Sequence, residues 1–143
     1  MCSNEVGERS MMEERELNEL SSKIINAAMN VHKELGPGLM EGVYNTCMQI
    51  ELRNMGLGVQ SEVPLPVIYR EQRVSEGGFR LDLLVEDQII VELKSVESVQ
   101  DIHKKQLLTY LRLANKPLGL LINFNEVLLK KGITRIINSP RSG

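Results

Sequence analysis

The chain has 143 residues, 42% hydrophobic and 25% charged, a balance that excludes wholesale disorder and low-complexity character. No apolar run approaches the roughly 18 residues of a membrane span, and the acidic, polar opening MCSNEVGERSMMEERE is unlike a signal peptide. The net charge of −2 hides an asymmetry: residues 1–20 carry −4, residues 21–100 carry −4, and residues 101–143 carry +6. A basic final third suits phosphate binding, or equally a solvated lysine surface.

In chain order, residues 1–15 lack periodicity and read as a mobile acidic tail. Leu17, Leu20, Ile24, Ala28, Val31 and Leu35, spaced three and four apart, predict an amphipathic helix stopped by Gly36-Pro37-Gly38. A second helix is expected over 39–55, with Val43, Tyr44, Cys47, Met48 and Leu52 facing inward, ended by Gly56 and Gly58. The period then changes. Residues 63–69 read as an extended segment confined to a sheet edge by Pro64 and Pro66, with a turn at Arg70-Glu71-Gln72. Residues 79–86 and 89–94 alternate about a polar break at Asp87-Gln88 and predict an antiparallel hairpin. Helical spacing returns through Val99, Ile102, Leu107, Leu111 and Ala114. Residues 118–124 predict a strand covered on both faces, and 133–137 a further short strand. The expected fold is mixed α+β, a central mixed sheet flanked by helices in the order α-α-β-β-β-α-β-(β), forming one domain over 16–138 with a tail at 139–143.

Cys2 and Cys47 have no CxxC spacing, so neither a disulfide framework nor a zinc site is expected, and the chain reads as reduced and cytoplasmic. The chemistry concentrates in the hairpin. With a tight turn centred near Asp87, Asp82 and Glu92 fall opposite or nearly opposite each other, where like charges destabilise a sheet. Lys94 lies two residues past Glu92, on the same face. A divalent cation, Mg²⁺ or Mn²⁺, together with the lysine would satisfy both acids. A structural salt bridge from Lys94 is the competing account, and with 19 acids and 8 lysines an acid-x-Lys triplet is expected about once by chance. Gln106 and Tyr110 are placed on the buried side of the third helix with Ile102 and Leu113, either lining a site or satisfied within the core. Glu41 and Tyr44 share a face near the start of the second helix. His32 and His103 read as structural or exposed before they read as ligands.

Gly38, Glu41 and Tyr44 spell GxxExxY, and VHKELGPGLMEGVY, GFRLDLLVEDQIIVELKSV, QLLTYLRL and LGLLINFN extend a pattern that resembles the GxxExxY proteins of the PD-(D/E)XK, restriction-endonuclease-like, nuclease superfamily. The resemblance implies a restriction-endonuclease-like core and a Mg²⁺-dependent nuclease. It makes Asp82 the first acid, Glu92 and Lys94 the (D/E)xK pair, Gln106 and Tyr110 the QxxxY motif, and Glu41 the acid from the N-terminal helix. The metal would be held by Asp82, Glu92, the Leu93 carbonyl and Glu41. No proline precedes Asp82, where that superfamily loosely keeps one. Nucleic acid is the implied partner, DNA ahead of RNA, with a homodimer or partner protein compatible with so small a domain. The alternative is a catalytically silent nucleic-acid-binding or assembly module on the same fold.

Overall fold

The computed structural model describes residues 12–75 and 78–139. Of the two expected tails, residues 1–11 and 140–143 therefore lie outside the described residues. Helix α1 (Glu14–Leu35) begins three residues before Leu17, because the Glu13 backbone N–H donates to the Glu16 side chain and caps the first turn. Gly36 ends the helix with a left-handed φ of 70°, donating its N–H to the His32 carbonyl. Helix α2 (Glu41–Asn54) follows. It buries Tyr44, Asn45, Met48 and Leu52, whereas Val43, expected inside, is 42% exposed.

The main sheet has the order β1-β4-β5-β6-β7. Its strands are β1 (Val59–Pro64), β4 (Arg80–Val85), β5 (Ile89–Lys94), β6 (Leu118–Asn123) and β7 (Ile133–Ile137). β1, β4 and β5 run antiparallel, β5 and β6 parallel, β6 and β7 antiparallel. Parallel pairing requires a crossover, which helix α3 (Asp101–Ala114) provides. Every residue of β6 is buried, as its unbroken apolar run requires.

Helices α1 and α2 cover one face of the sheet, packing Ile24, Ala28, Tyr44 and Met48 on Leu83, Val85, Val91, Leu120 and Ile122. Helix α3 covers the other with Leu107, Tyr110 and Leu111 on Leu84, Ile90 and Leu121. Gly119 permits that close approach: a Cβ there would stand 3.0 Å from three side-chain carbons of Leu107. The segment expected as one extended edge, 63–69, is divided. β1 begins earlier, at Val59, and a separate two-stranded ribbon, β2 (Ile68–Tyr69) and β3 (Gln72–Arg73), turns at Arg70 and Glu71. Pro64 and Pro66 account for the division, since neither can donate to a ladder.

Candidate active site

The β4–β5 turn fixes everything around it. Glu86 and Asp87 both take left-handed φ (52° and 57°), and the Gln88 N–H donates to the Val85 carbonyl at 3.0 Å. Two successive positive φ values match the right-handed strand twist of a hairpin. Glu86 donates its N–H to the Gly58 carbonyl, and Lys116 Nζ meets Asp87 Oδ1 at 2.9 Å, anchoring the turn to its neighbours. The resulting register pairs Val85 with Ile89, Leu84 with Ile90 and Leu83 with Val91. One rung further, Asp82 stands opposite Glu92.

At that rung regular pairing stops and side chains take over. The Leu93 N–H donates to Asp82 Oδ2 at 2.8 Å, and the Asp82 N–H donates to Glu92 Oε2 at 2.9 Å. The β1–β4 ladder is interrupted at the same level: Ser61 pairs with Leu83 and Val63 with Leu81, with Glu62 and Asp82 left between. Residues two apart on a regular strand share a face. Here Leu83 packs towards α1 and α2 while Leu81 packs towards α3, and Ser61 bonds Asn45 of α2 while Val63 joins the α3 side. Both strands change phase at one rung, with Glu62 at a φ of 53°. Local irregularities of this kind re-aim side chains.

Burial, followed by repulsion from Asp82, pushes Glu92 up to about 8. Burial also raises Asp82, against the lowering effect of its bond from the Leu93 N–H; Glu62 and Glu41 push it further up and Lys94 pulls it down. Tyr110 is raised by burial and by the negative field of Glu92 and Asp82.

Lys94 lowers both acids through space. Yet the one ion pair within 4 Å among the described residues is Lys116–Asp87, so Lys94 forms no salt bridge with Asp82 or Glu92. Glu41, exposed at the first turn of α2, accepts the Ser95 N–H on Oε2 at 3.2 Å, and Ser95 Oγ donates to the Leu39 carbonyl at 2.7 Å. These bonds tie the start of α2 to the residue after Lys94. An open groove runs past Glu41, lined by Gly38, Met40, Gly42, Ser95 and Asn125.

Gln106 requires a correction. It was expected on the buried side of its helix, but it is exposed, as are Ile102 (65%) and Leu113 (40%). The buried stripe is Leu107, Tyr110, Leu111 and the half-buried Ala114, spaced three and four apart, and Gln106 stands about 100° around the helix from Leu107. Tyr44 also parts from Glu41. It is fully buried, stacks on Phe124 with ring centroids 4.3 Å apart, donates its OH to the Gly36 carbonyl at 2.6 Å and accepts the Leu39 N–H at 3.1 Å. It shapes the Gly36-Pro37-Gly38 turn that delivers Glu41. His32 bonds the Glu126 carbonyl through Nε2, and His103 accepts the Gln100 N–H at the start of α3, so both serve as local ties.

Two participants were not anticipated. Glu62 enters through register alone, which no local pattern announces before β1 is assigned. Asn45, buried in α2, donates to the Asp82 carbonyl at 3.3 Å and accepts from Gln49 at 2.6 Å and Ser61 at 3.1 Å. Its signal was a lone amide within the apolar stripe of α2.

Among the described residues, no three His, Cys, Asp or Glu side chains form a ready-made metal cage. The donor set nonetheless suits a hard cation. Mg²⁺ is commonly held by one or two carboxylates with water and substrate phosphate supplying the rest. Two carboxylates forced together at a buried rung, with raised proton affinities, are the groups such an ion would relieve.

A family model described as the PD-(D/E)XK nuclease superfamily matches residues 18–136, and the chain belongs to that superfamily. The five-stranded mixed sheet between helices agrees with its restriction-endonuclease-like fold. Members of the superfamily usually hydrolyse phosphodiester bonds and typically use divalent metals. Searches of curated proteins and of solved structures gave no match. Among the described residues, no helix is long and apolar enough to cross a membrane.

Proposed function

We propose that this protein is a divalent-metal-dependent nuclease that hydrolyses phosphodiester bonds in DNA, with RNA the second substrate to test. The observation that carries this reading is the buried Asp82–Glu92 rung beside a lysine paired to neither acid. Asp82, Glu92 and the Leu93 carbonyl are the groups that would hold Mg²⁺, or Mn²⁺ in its place, with Glu41 reached through water. When bound, such an ion polarises a phosphate oxygen and makes a bound water more acidic.

The chain's own residues perform the remaining work. Lys94, beside the acids, orients the attacking water and stabilises negative charge growing on the phosphoryl oxygens. Glu92 and Asp82 must release their protons to act as ligands, and Lys94 favours that release in both. Exposed Gln106 and the inner Tyr110, four residues apart on helix α3, orient the substrate backbone in this reading. Exposed Lys104, Lys105, Lys130 and Lys131 hold flanking phosphates, a contribution that weakens with salt.

The test is incubation with supercoiled plasmid and with labelled single strands in Mg²⁺, Mn²⁺ or EDTA, beside Lys94→Ala. Metal-dependent cutting that falls at least about 100-fold in the variant supports the reading. Absence of cutting by the unaltered protein, or equal cutting by both, transfers the case to the silent binding module.

A further inference from the structure

The chain has five aromatic residues, all among those described, and they separate sharply. Tyr44 and Phe124 are wholly buried and Tyr110 is 8% exposed, whereas Tyr69 is 62% and Phe79 41% exposed. Both exposed rings lie beyond the Asp82 rung, Tyr69 in the β2–β3 ribbon and Phe79 just before β4. Leu65 bonds back to Phe79, Val67 to Val74, and Ile68 and Tyr69 pair with Arg73 and Gln72. Phe79 stands at the base, its ring centroid 6.2 Å from that of Tyr110. Tyr69 stands at the tip, one face beneath the Arg70 guanidinium, 5.6 Å from the ring centroid.

Arg70 and Arg73 are exposed on the ribbon and Arg80 at the start of β4. A two-stranded ribbon of this size has little stability of its own. Aromatic faces interleaved with arginine are the devices that hold unpaired nucleic acid: bases stack on rings while guanidinium groups take the phosphates. Paired bases present no free face to stack on.

Resting on the nuclease reading above, we infer that this ribbon is a single-strand-binding arm. Phe79 stacks an unpaired base beside the cleavage site, Tyr69 stacks a second farther out, and Arg70, Arg73 and Arg80 hold the backbone between. The preferred substrate is then a single strand, or a duplex frayed where it meets the Asp82 rung.

The test is fluorescence anisotropy in EDTA with labelled single-stranded and blunt duplex oligonucleotides of one length. Tighter binding of the single strand is expected, weakened roughly 5- to 100-fold by Tyr69→Ala and by Phe79→Ala. Arg70→Ala should lower the slope of log affinity against log salt by about 0.7. Because the chain contains no tryptophan, Phe79→Trp supplies a single tryptophan, whose selectively excited emission should be quenched by the single strand in step with the anisotropy. Unchanged binding in the Tyr69 and Phe79 variants overturns the arm. So does equal loss on duplex and single strand, which assigns the ribbon to a groove. Dissociation of a dimer by Tyr69→Ala with no change in oligonucleotide affinity assigns it to a second copy of the chain. The nuclease reading is scored separately, by metal-dependent cutting against Lys94→Ala: cutting without an effect of the ring variants rejects the arm alone, and ring-dependent binding without cutting rejects the nuclease alone.

Discussion

Asp82 and Glu92 face each other across the end of a hairpin, and both carboxylates are engaged with backbone at that rung: Asp82 accepts the Leu93 N–H and Glu92 accepts the Asp82 N–H. Two carboxyl groups are thereby held where a regular ladder would have placed backbone hydrogen bonds. The arrangement is costly on its own terms and economical once a cation shares it.

The cost has a pH signature in metal-free protein. Burial and the neighbouring Asp82 raise Glu92 from 4.5 to about 8. The folded state therefore keeps a proton that the unfolded chain gives up between those values. Stability from this group is fully present below about pH 4.5 and is lost as pH rises through about 8, an effect on the order of a few kcal/mol. Glu92→Gln, which keeps an oxygen for the Asp82 N–H, should melt several degrees higher than the unaltered protein at pH 8 in EDTA and show a flatter profile down to pH 5. Identical melting profiles for the two proteins would contradict the buried-acid account.

Gln106 offers the converse. Because it is exposed, Gln106→Ala should leave stability within about 0.5 kcal/mol. If its role is to touch substrate, the same variant should raise KM for the oligonucleotide several-fold at unchanged melting temperature. A drop in melting temperature that accounts for the lost activity would make it a structural residue.

Tyr44 is predicted to matter for the fold first. Tyr44→Phe preserves the stack on Phe124 but removes one bond to the Gly36 carbonyl and one from the Leu39 N–H. Urea unfolding should show a loss of about 1–3 kcal/mol. Wild-type stability would mean that water satisfies both backbone groups.

Periodicity carried most of the architecture, because the elements that matter here bury whole stripes. The fully buried β6 and the face of α1 from Leu20 to Val31 were legible for that reason, as was the hairpin with its opposed acids, whereas Leu35, expected on that face, is 39% exposed. What escaped depends on tertiary placement. Glu62 acquires meaning only when β1 pairs with β4, and Asn45 only when α2 lies against both. Gln106 was misplaced because Ile102 and Leu113 suggested an apolar face that the protein leaves in water. The β2–β3 ribbon was hidden within one proline-rich stretch, since a strand of two residues has no period to read.

The β4–β5 hairpin closes over a turn of three residues, whereas β6 reaches β5 only after the chain has passed through α3, pairing residues 29 apart in sequence. Short closures precede long ones in a folding chain, since the entropy of closing the longer loop must be met before its contacts repay it. Asp82 and Glu92 thus come together while still hydrated, when two negative charges repel each other least. The parallel β5–β6 pairing, which needs helix α3 as its crossover, closes the longer loop. On loop length alone, the pair of acids is expected to meet in water before the sheet that encloses it is complete.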